Sequence, residues 1–470
     1  MRTGGRLLLL VLALYASGAT AAPRLTRVPL ARLPATYIAD TLGLTPDARA
    51  AVYAERSGDG ARVVQRGQAG PTFRAVSAPR VAADGAAFYW ATEPHGIALL
   101  AGTTRIATPI AQPGPFAFAA ARRRWAAVGA DPAAAPDSTA VLWVDGRLVN
   151  RYPDLTLPVF SRDAAHYAYL GDAGSGLVGL FVDGKRIHLF EPPDVAASPV
   201  RRGPTPGTGM DEQYVVTYLS DGQLLLLTTD HEGWAVYRDD QRVASYNRND
   251  APPADGAPAR WDEALRDASA ILGGSLISAS DAPVIAWWGR DPGLVTRWRV
   301  LRDGVPLPQA CKQPAYDTPP ALSADGRHAA YACTLSQPGQ PEQVIVVHDD
   351  RRYGPYPGVR GVALSPDGSR VAFATRVGAH DWSYVVDGRR YPARFRATDT
   401  PRFSADGRHV AWVGQRLRDG RAPRFVLLLD GNGYASSERA LIAPRFDAAT
   451  GVLHWATARG RRIDRVAIGE

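Results

Sequence analysis

The side chains best suited to chemistry lie in short connections that do not repeat. Glu93-Pro94-His95, Asp230-His231-Glu232 and His380-Asp381 each place a carboxylate within two residues of an imidazole, and Asp291 stands alone in Gly289-Arg290-Asp291-Pro292-Gly293. Together such groups could ligate a hard or borderline cation, or work as an acid and base pair. The same residue types are ordinary in solvated turns, so chemistry requires these loops to converge on one pocket. No Gly-x-Ser-x-Gly elbow, His-Glu-x-x-His pair, P-loop or Gly-x-Gly-x-x-Gly between strand and helix accompanies them. Gly171-Asp172-Ala173-Gly174-Ser175-Gly176 is glycine-rich, but it joins two apolar runs and reads as a hairpin. No catalytic residue, metal or cofactor is therefore assigned, and the loop residues stand as candidate binding residues.

The elements that must position these loops repeat. The cleanest copies are Leu364-Ser-Pro-Asp-Gly-Ser-Arg-Val-Ala-Phe-Ala374 and Phe403-Ser-Ala-Asp-Gly-Arg-His-Val-Ala-Trp412. Ten such cores, near Asp47, Asp84, Arg122, Asp163, Asp221, Asp281, Asp325, Asp367, Asp406 and Asp447, lie mostly 37 to 44 residues apart. That period belongs to blades or solenoid units. A second apolar run follows each core and ends in another turn, as in Trp143-Val-Asp-Gly-Arg147, Phe181-Val-Asp-Gly-Lys185, Leu301-Arg-Asp-Gly304, Val385-Val-Asp-Gly-Arg389 and Leu428-Leu-Asp-Gly431. Asp-Gly supplies the positive φ angles of a tight hairpin. A unit reads strand, turn, strand, variable loop, strand, hairpin, strand, which is one four-stranded antiparallel propeller blade. The fold expected is all-β. One stretch, 260–272, has the composition of a short helix.

In such a blade both Asp-Gly turns lie on one face and the variable loops on the other, where function should concentrate. Two long insertions, 191–213 and 247–275, belong to that face; Trp261 in the second is a candidate anchor for a partner, or a plug that docks the insertion on the ring. Trp287, Trp288, Trp382, Trp412 and Trp455 fall in or beside repeat strands and read as packing between blades. The last core, 446–470, lacks its final hairpin, and residues 25–33 precede the first, so the N-terminal segment can complete the last blade and close the ring. Ten cores exceed the usual four to eight blades or so. One large ring, two smaller rings, or degenerate copies outside a ring remain open.

The Ser-x-Asp-Gly-x-x-(apolar)-Ala pattern resembles the WD40-like, TolB-type repeats of the periplasmic propeller protein of the Tol system and of the propeller domains of prolyl-oligopeptidase-type enzymes. The resemblance spans nearly the whole chain after residue 21. It implies a β-propeller and partner binding, and it carries over no catalytic residue. The chain departs from both groups: 23–45 leaves no room for the α/β domain that precedes the Tol-system propeller, and no hydrolase domain is present.

Arg2 and Arg6, the run Leu7-Leu-Leu-Leu-Val-Leu-Ala-Leu14 and Ala19-Thr-Ala21 make a secretory signal peptide over 1–21, cut after Ala21. Residues 22–470 then form a periplasmic or secreted repeat region with no transmembrane segment. In an oxidising compartment Cys311 and Cys333 can pair, closing a loop worth about 3 kcal/mol. The formal charge of +8 falls to +6 on loss of Arg2 and Arg6. With arginines interspersed among acids, this reads as a solvated surface with two basic spots, Arg122-Arg-Arg124 and Arg459-Gly-Arg-Arg462, and not as a nucleic-acid interface. The expectation is a non-catalytic propeller that binds a protein or cell-envelope ligand through its variable face. The alternative is a periplasmic hydrolase or lyase acting on glycan or peptide at the channel mouth.

Overall fold

The computed structural model of the protein describes residues 23–469 apart from 46, 83, 111, 120–123, 131–139, 175–176, 191–213, 230–232, 240, 248–276, 292–293, 304, 316–317, 336–342, 393 and 419–420. The expected signal peptide, the insertion at 191–213, nearly all of that at 247–275 and the expected helix therefore lie outside the described residues. Within them there is no helix, and ten antiparallel sheets follow one another along the chain. Blades 1 to 9 are 43–73, 75–110, 112–152, 159–190, 214–247, 277–306, 313–356, 359–390 and 397–437. Blade 10 is 445–469 completed by Arg24–Arg32, which pairs antiparallel with Arg462–Gly469. Each of the ten sequence cores thus falls in its own blade, and the N-terminal segment supplies the missing outer strand.

Consecutive blades pack against each other around one ring. Mixed clusters join blades 1 and 2 (Val52, Val63, Tyr89), 3 and 4 (Val128, Leu142, Tyr169), 7 and 8 (Val346, Phe373) and 9 and 10 (Leu427, Trp455). Leu33, Ala458 and Ile463 of blade 10 meet Leu44 and Tyr53 of blade 1, so the last sheet seals onto the first. Having a neighbour on both sides explains why second strands such as Ala87–Glu93, Trp125–Ala130 and Leu453–Arg459 are apolar and buried at nearly every position. Trp287, Trp288, Trp412 and Trp455 are fully buried in such strands and serve packing, whereas Trp382 is half-buried.

Hairpin aspartates hold blades 3 to 9 together. Asp145, Asp183, Asp239, Asp303, Asp349, Asp387 and Asp430 adopt φ of 48° to 54°, and Gly146, Gly184, Gly388 and Gly431 follow four of them at 81° to 84°, the left-handed pair a twisted two-residue hairpin favours. This geometry aims each carboxylate at the start of the second strand. There the amides of Trp125, Tyr167, Leu224, Ile285, Ala329, Val371 and Val410 donate to the respective Oδ1 atoms at 2.9–3.1 Å. The second carboxylate oxygen holds the basic residue just before the strand: Arg124 and Arg370 at 2.8 Å, His166 at 2.6 Å, and His328 and His409 at 2.7 Å. Several arginines then reach the next blade. Arg124 donates to the carbonyls of Ala164 and Ala165, Arg370 to those of Gly407 and Arg408, and Arg302 to that of Arg327. Arg238 joins blade 5 to blade 6 through Pro283 O and Asp303. Arg124, expected within a basic surface spot, is thus committed to the scaffold.

The first turn of the blade has its own polar box. Ser161, Ser323, Ser365 and Ser404 are buried; each hydroxyl donates to the Asp two residues on at 2.5–2.7 Å and accepts the amide five residues on at 2.9–3.0 Å. The Ser365 hydroxyl, helped by Ser369, pushes Asp367 down to about 2 from its ordinary 3.8, and the Ser404 hydroxyl with Arg408 lowers Asp406 further. Cys311, in the connection after blade 6, is joined by a disulfide to Cys333 in blade 7, and its backbone pairs with Trp298 of blade 6.

Two outcomes follow from this architecture. Removing residues 23–33 leaves the edge of Arg462–Gly469 unpaired, so the melting temperature should fall by about 5 °C or more and self-association should appear in size-exclusion chromatography. Because the folded carboxyl of Asp367 lies below its unfolded value, it contributes stability that is full above pH 3.8 and is lost as pH falls through about 2. Asp367→Asn should therefore melt below wild type at pH 7, with the gap closing between pH 4 and 2; a gap independent of pH would contradict this assignment.

Candidate functional site

With first and third turns on one side of the ring, the second-to-third connections occupy the other, and the candidate loop residues sit there. Glu93 ends the strand Ala87–Glu93 of blade 2 and forms an ion pair with Arg105 of the same blade, while His95 is exposed in the following turn. In blade 8 His380 is exposed and Asp381 lies 3.9 Å from Arg396 in the connection to blade 9. These two pairs belong to different sectors of the ring, and each acid is engaged locally by an arginine. Asp291 ends the strand Ile285–Asp291, paired with Leu294, and its side chain is outside the described residues, as are Asp230, His231, Glu232 and Trp261. Among the described residues no group of three or more His, Cys, Asp or Glu side chains could hold a metal ion.

A concave site instead opens in the channel wall. First strands of neighbouring blades touch one another, as Ala321–Leu322 touches Val359–Leu364, so they face the ring axis. In blades 7 to 9 these strands lose regularity. Blade 7 splits into Gln313–Pro314 and Ala321–Leu322, and blade 9 into Ala397–Thr398 and Arg402–Phe403. Both gaps contain Pro, at 319 and 401, which has no amide to give a ladder. Blade 8 bulges between Arg360 and Ala363, with Gly361 at φ 59°; a Cβ there would lie 2.9 Å from Thr400 Cα, so only glycine permits this approach of two backbones.

Between the three irregular strands lies a recess of about 270 Å³ lined by Pro319, Arg360, Gly361, Val362, Thr398, Asp399 and Thr400. The Arg360 guanidinium sits 4.6 Å from the Trp382 ring centroid, an arrangement that restrains its fork. Asp399 Oδ1 accepts the Thr400 amide at 2.8 Å. Behind the recess the Tyr384 hydroxyl lies 3.0 Å from Val413 O and 3.2 Å from Asp399 O, and its ring stacks on Trp412 at 4.4 Å. Burial raises the Tyr384 phenol well above its ordinary value, reinforced by the charge of Asp399, so it remains a neutral donor. Asp381 neighbours Trp382 in sequence and is the candidate residue tied most directly to this region.

Reading by residue type passed over Arg360, Asp399 and Thr400. A signal for them exists: Asp-Thr-Pro occurs twice, at 317–319 and 399–401, each time shortly before Ser-Ala-Asp-Gly-Arg-His. The first copy brings Pro319 and the second brings Asp399 and Thr400 to the same recess.

No family model matches the chain, and no curated protein sequence does. Solved β-propellers are similar in structure. They include BamB from Moraxella catarrhalis (13% identity, 76% of this chain and 94% of that one, TM-score 0.34) and the Dos1 propeller (10%, 94% and 95%, 0.37). The propeller domain of the trilobed protease from Pyrococcus furiosus is a third (12%, 70% and 96%, 0.30).

Tyr384→Phe removes the one hydroxyl that supports the carbonyls of Asp399 and Val413 from behind. We expect a loss of about 1 kcal/mol, read as a lower denaturant midpoint, with the ring otherwise intact by circular dichroism.

Proposed function

We propose that this chain is an exported, non-catalytic β-propeller of the WD40-like type that binds a protein partner in the cell envelope through its variable-loop face. One observation carries the reading. The polar side chains that recur with the repeat, Ser365, Asp367, Arg370 and Asp387 in blade 8 and their counterparts elsewhere, are bonded within or between blades. The turn face is thereby largely spent on holding the ring together, and the non-repeating connections of the opposite face are left to recognise something.

That face is also where large apolar side chains project in neighbouring blades. Leu335 follows the second strand of blade 7 and is 39% exposed, and Leu417 near the end of the second strand of blade 9 is 54% exposed. Half-buried Trp382 stands at the same edge of blade 8. Arg376, paired in register with Trp382, and Arg416, next in chain to Leu417, add positive charge to these strand ends, and mixed apolar and basic surface of this sort is used by protein interfaces. Export is inferred from the basic, apolar and small-residue succession over 1–21.

The test is made in the intact cell. Mass spectrometry of the purified chain should find Ala22 at the N-terminus. A photo-crosslinking residue at position 417 should yield one discrete protein adduct that Leu335→Arg abolishes while the melting temperature stays within about 1–2 °C of wild type. A chain that keeps residues 1–21, or a position 417 that crosslinks to nothing, would refute the reading.

A further inference from the structure

We propose that the recess in the channel wall of blades 7 to 9 is a binding site for a small zwitterion, a free α-amino acid, with its carboxylate on Arg360 and its ammonium on Asp399. The recess borders the loop face, since Arg360 is held on Trp382, but its ligand is tested without the protein partner proposed above.

The charges argue for a zwitterion. Arg360 and Asp399 line one cavity, yet no ion pair joins them, and Arg360 has no carboxylate partner among the described residues. Its guanidinium is held against the Trp382 ring, so a planar two-donor fork is pre-oriented and little side-chain freedom is lost when a carboxylate binds. On Asp399 the Thr400 amide engages Oδ1, which fixes the carboxylate and leaves Oδ2 as acceptor for an ammonium. One cation and one anion make the lining neutral overall. A ligand of a single charge would engage one wall only, whereas a zwitterion makes a charge-assisted hydrogen bond to each.

Size and shape point the same way. About 270 Å³ falls just below the range of roughly 300–1,000 Å³ typical of sites for larger small molecules, so it suits a single amino acid and not an oligomer. Pro319 and Val362 offer apolar wall for an aliphatic side chain, and Thr400 a hydroxyl beside Asp399. The backbone has been altered to make this space. Three consecutive inner strands are broken or bulged, and Gly361 lies against Thr400 where no side chain could be accommodated. Strand glycines of this kind permit close approach of another backbone, and here that approach brings Thr400 and Asp399 to the recess.

The experiment uses the chain from residue 22 onward and isothermal titration with three probes: L-leucine, N-acetyl-L-leucine, which lacks the ammonium, and L-leucinamide, which lacks the carboxylate. L-leucine should bind at least about tenfold more tightly than either, the factor of one lost charge-assisted hydrogen bond. Arg360→Ala should weaken L-leucine by about tenfold or more, and Arg360→Lys should recover only part of it, since the fork is lost. Asp399→Asn keeps the acceptor for the Thr400 amide while removing the charge, so it should weaken L-leucine about tenfold and leave N-acetyl-L-leucine unchanged. Both altered residues lie at the recess surface, and unchanged melting curves would show that the ring still closes. Heats absent for all three probes, equal affinities for all three, or an Arg360→Ala variant that binds like wild type would each overturn the proposal.

Discussion

The carboxylate of the hairpin aspartate is the interaction on which blades 3 to 9 depend. Its left-handed backbone turns the chain, its Oδ1 accepts the first amide of the second strand, and its Oδ2 orients a basic neighbour that in two blades reaches the carbonyls of the next. Asp387 shows the whole succession: it fixes Val371, holds Arg370, and through Arg370 grips Gly407 and Arg408 of blade 9. Partly exposed ion pairs contribute little singly. Their effect here is geometric, because each pair sets the start of a strand and the approach of a neighbour together. Arg124 and Arg370 are thereby committed to the scaffold.

Ring size follows from what these staples hold apart. Sheets meet as wedges, and the angle between them depends on the volume of side chains facing across each interface, such as Trp90 and Phe116 between blades 2 and 3 or Tyr384 and Trp412 between blades 8 and 9. The ten cores, the strand pattern within each and the closing role of the N-terminal segment were legible because each is a local pattern of alternation and turn chemistry. Whether ten sheets make one ring or two was not legible, since no local pattern encodes a wedge angle. The burial of Trp287, Trp288, Trp412 and Trp455 could be read from their places in repeat strands, and the pairing of Cys311 with Cys333 from their place in adjoining repeats.

The recess was hidden for a different reason. Pro319, Arg360 and Asp399 come from three blades roughly a repeat length apart, and none belongs to a motif with chemistry of its own. Glu93, His95, His380 and Asp381 drew attention by residue type, but type says nothing about where a loop points. Glu93 is engaged by Arg105 in blade 2, and Asp381 by Arg396 beside blade 8. The better guide was irregularity. Asp-Thr-Pro breaks the pattern of the inner strand at the same point in two blades, and a proline there removes a ladder hydrogen bond.

Such interruptions cost ladder hydrogen bonds, so the surroundings must offset them. Around the recess they do: Tyr384 engages the Asp399 carbonyl, Phe395 packs where Gly414 leaves no room for a side chain, and Thr318 lies buried within reach of Val359 O. The disulfide adds to this by tying the connection after blade 6 to blade 7, closing a loop of 22 residues worth about 3 kcal/mol on the loop-entropy model. Exposed Leu335 and Leu417 occupy the loop edges of blades 7 and 9. In blades 7 to 9 the broken or bulged inner strands border a recess, whereas blade 2 breaks its inner strand into Ala75–Val76 and Arg80–Val81 as part of the ring itself. The break alone therefore marks no binding sector; what matters in blades 7 to 9 is the pair of opposite charges, Arg360 and Asp399, that the irregular strands bring to one recess.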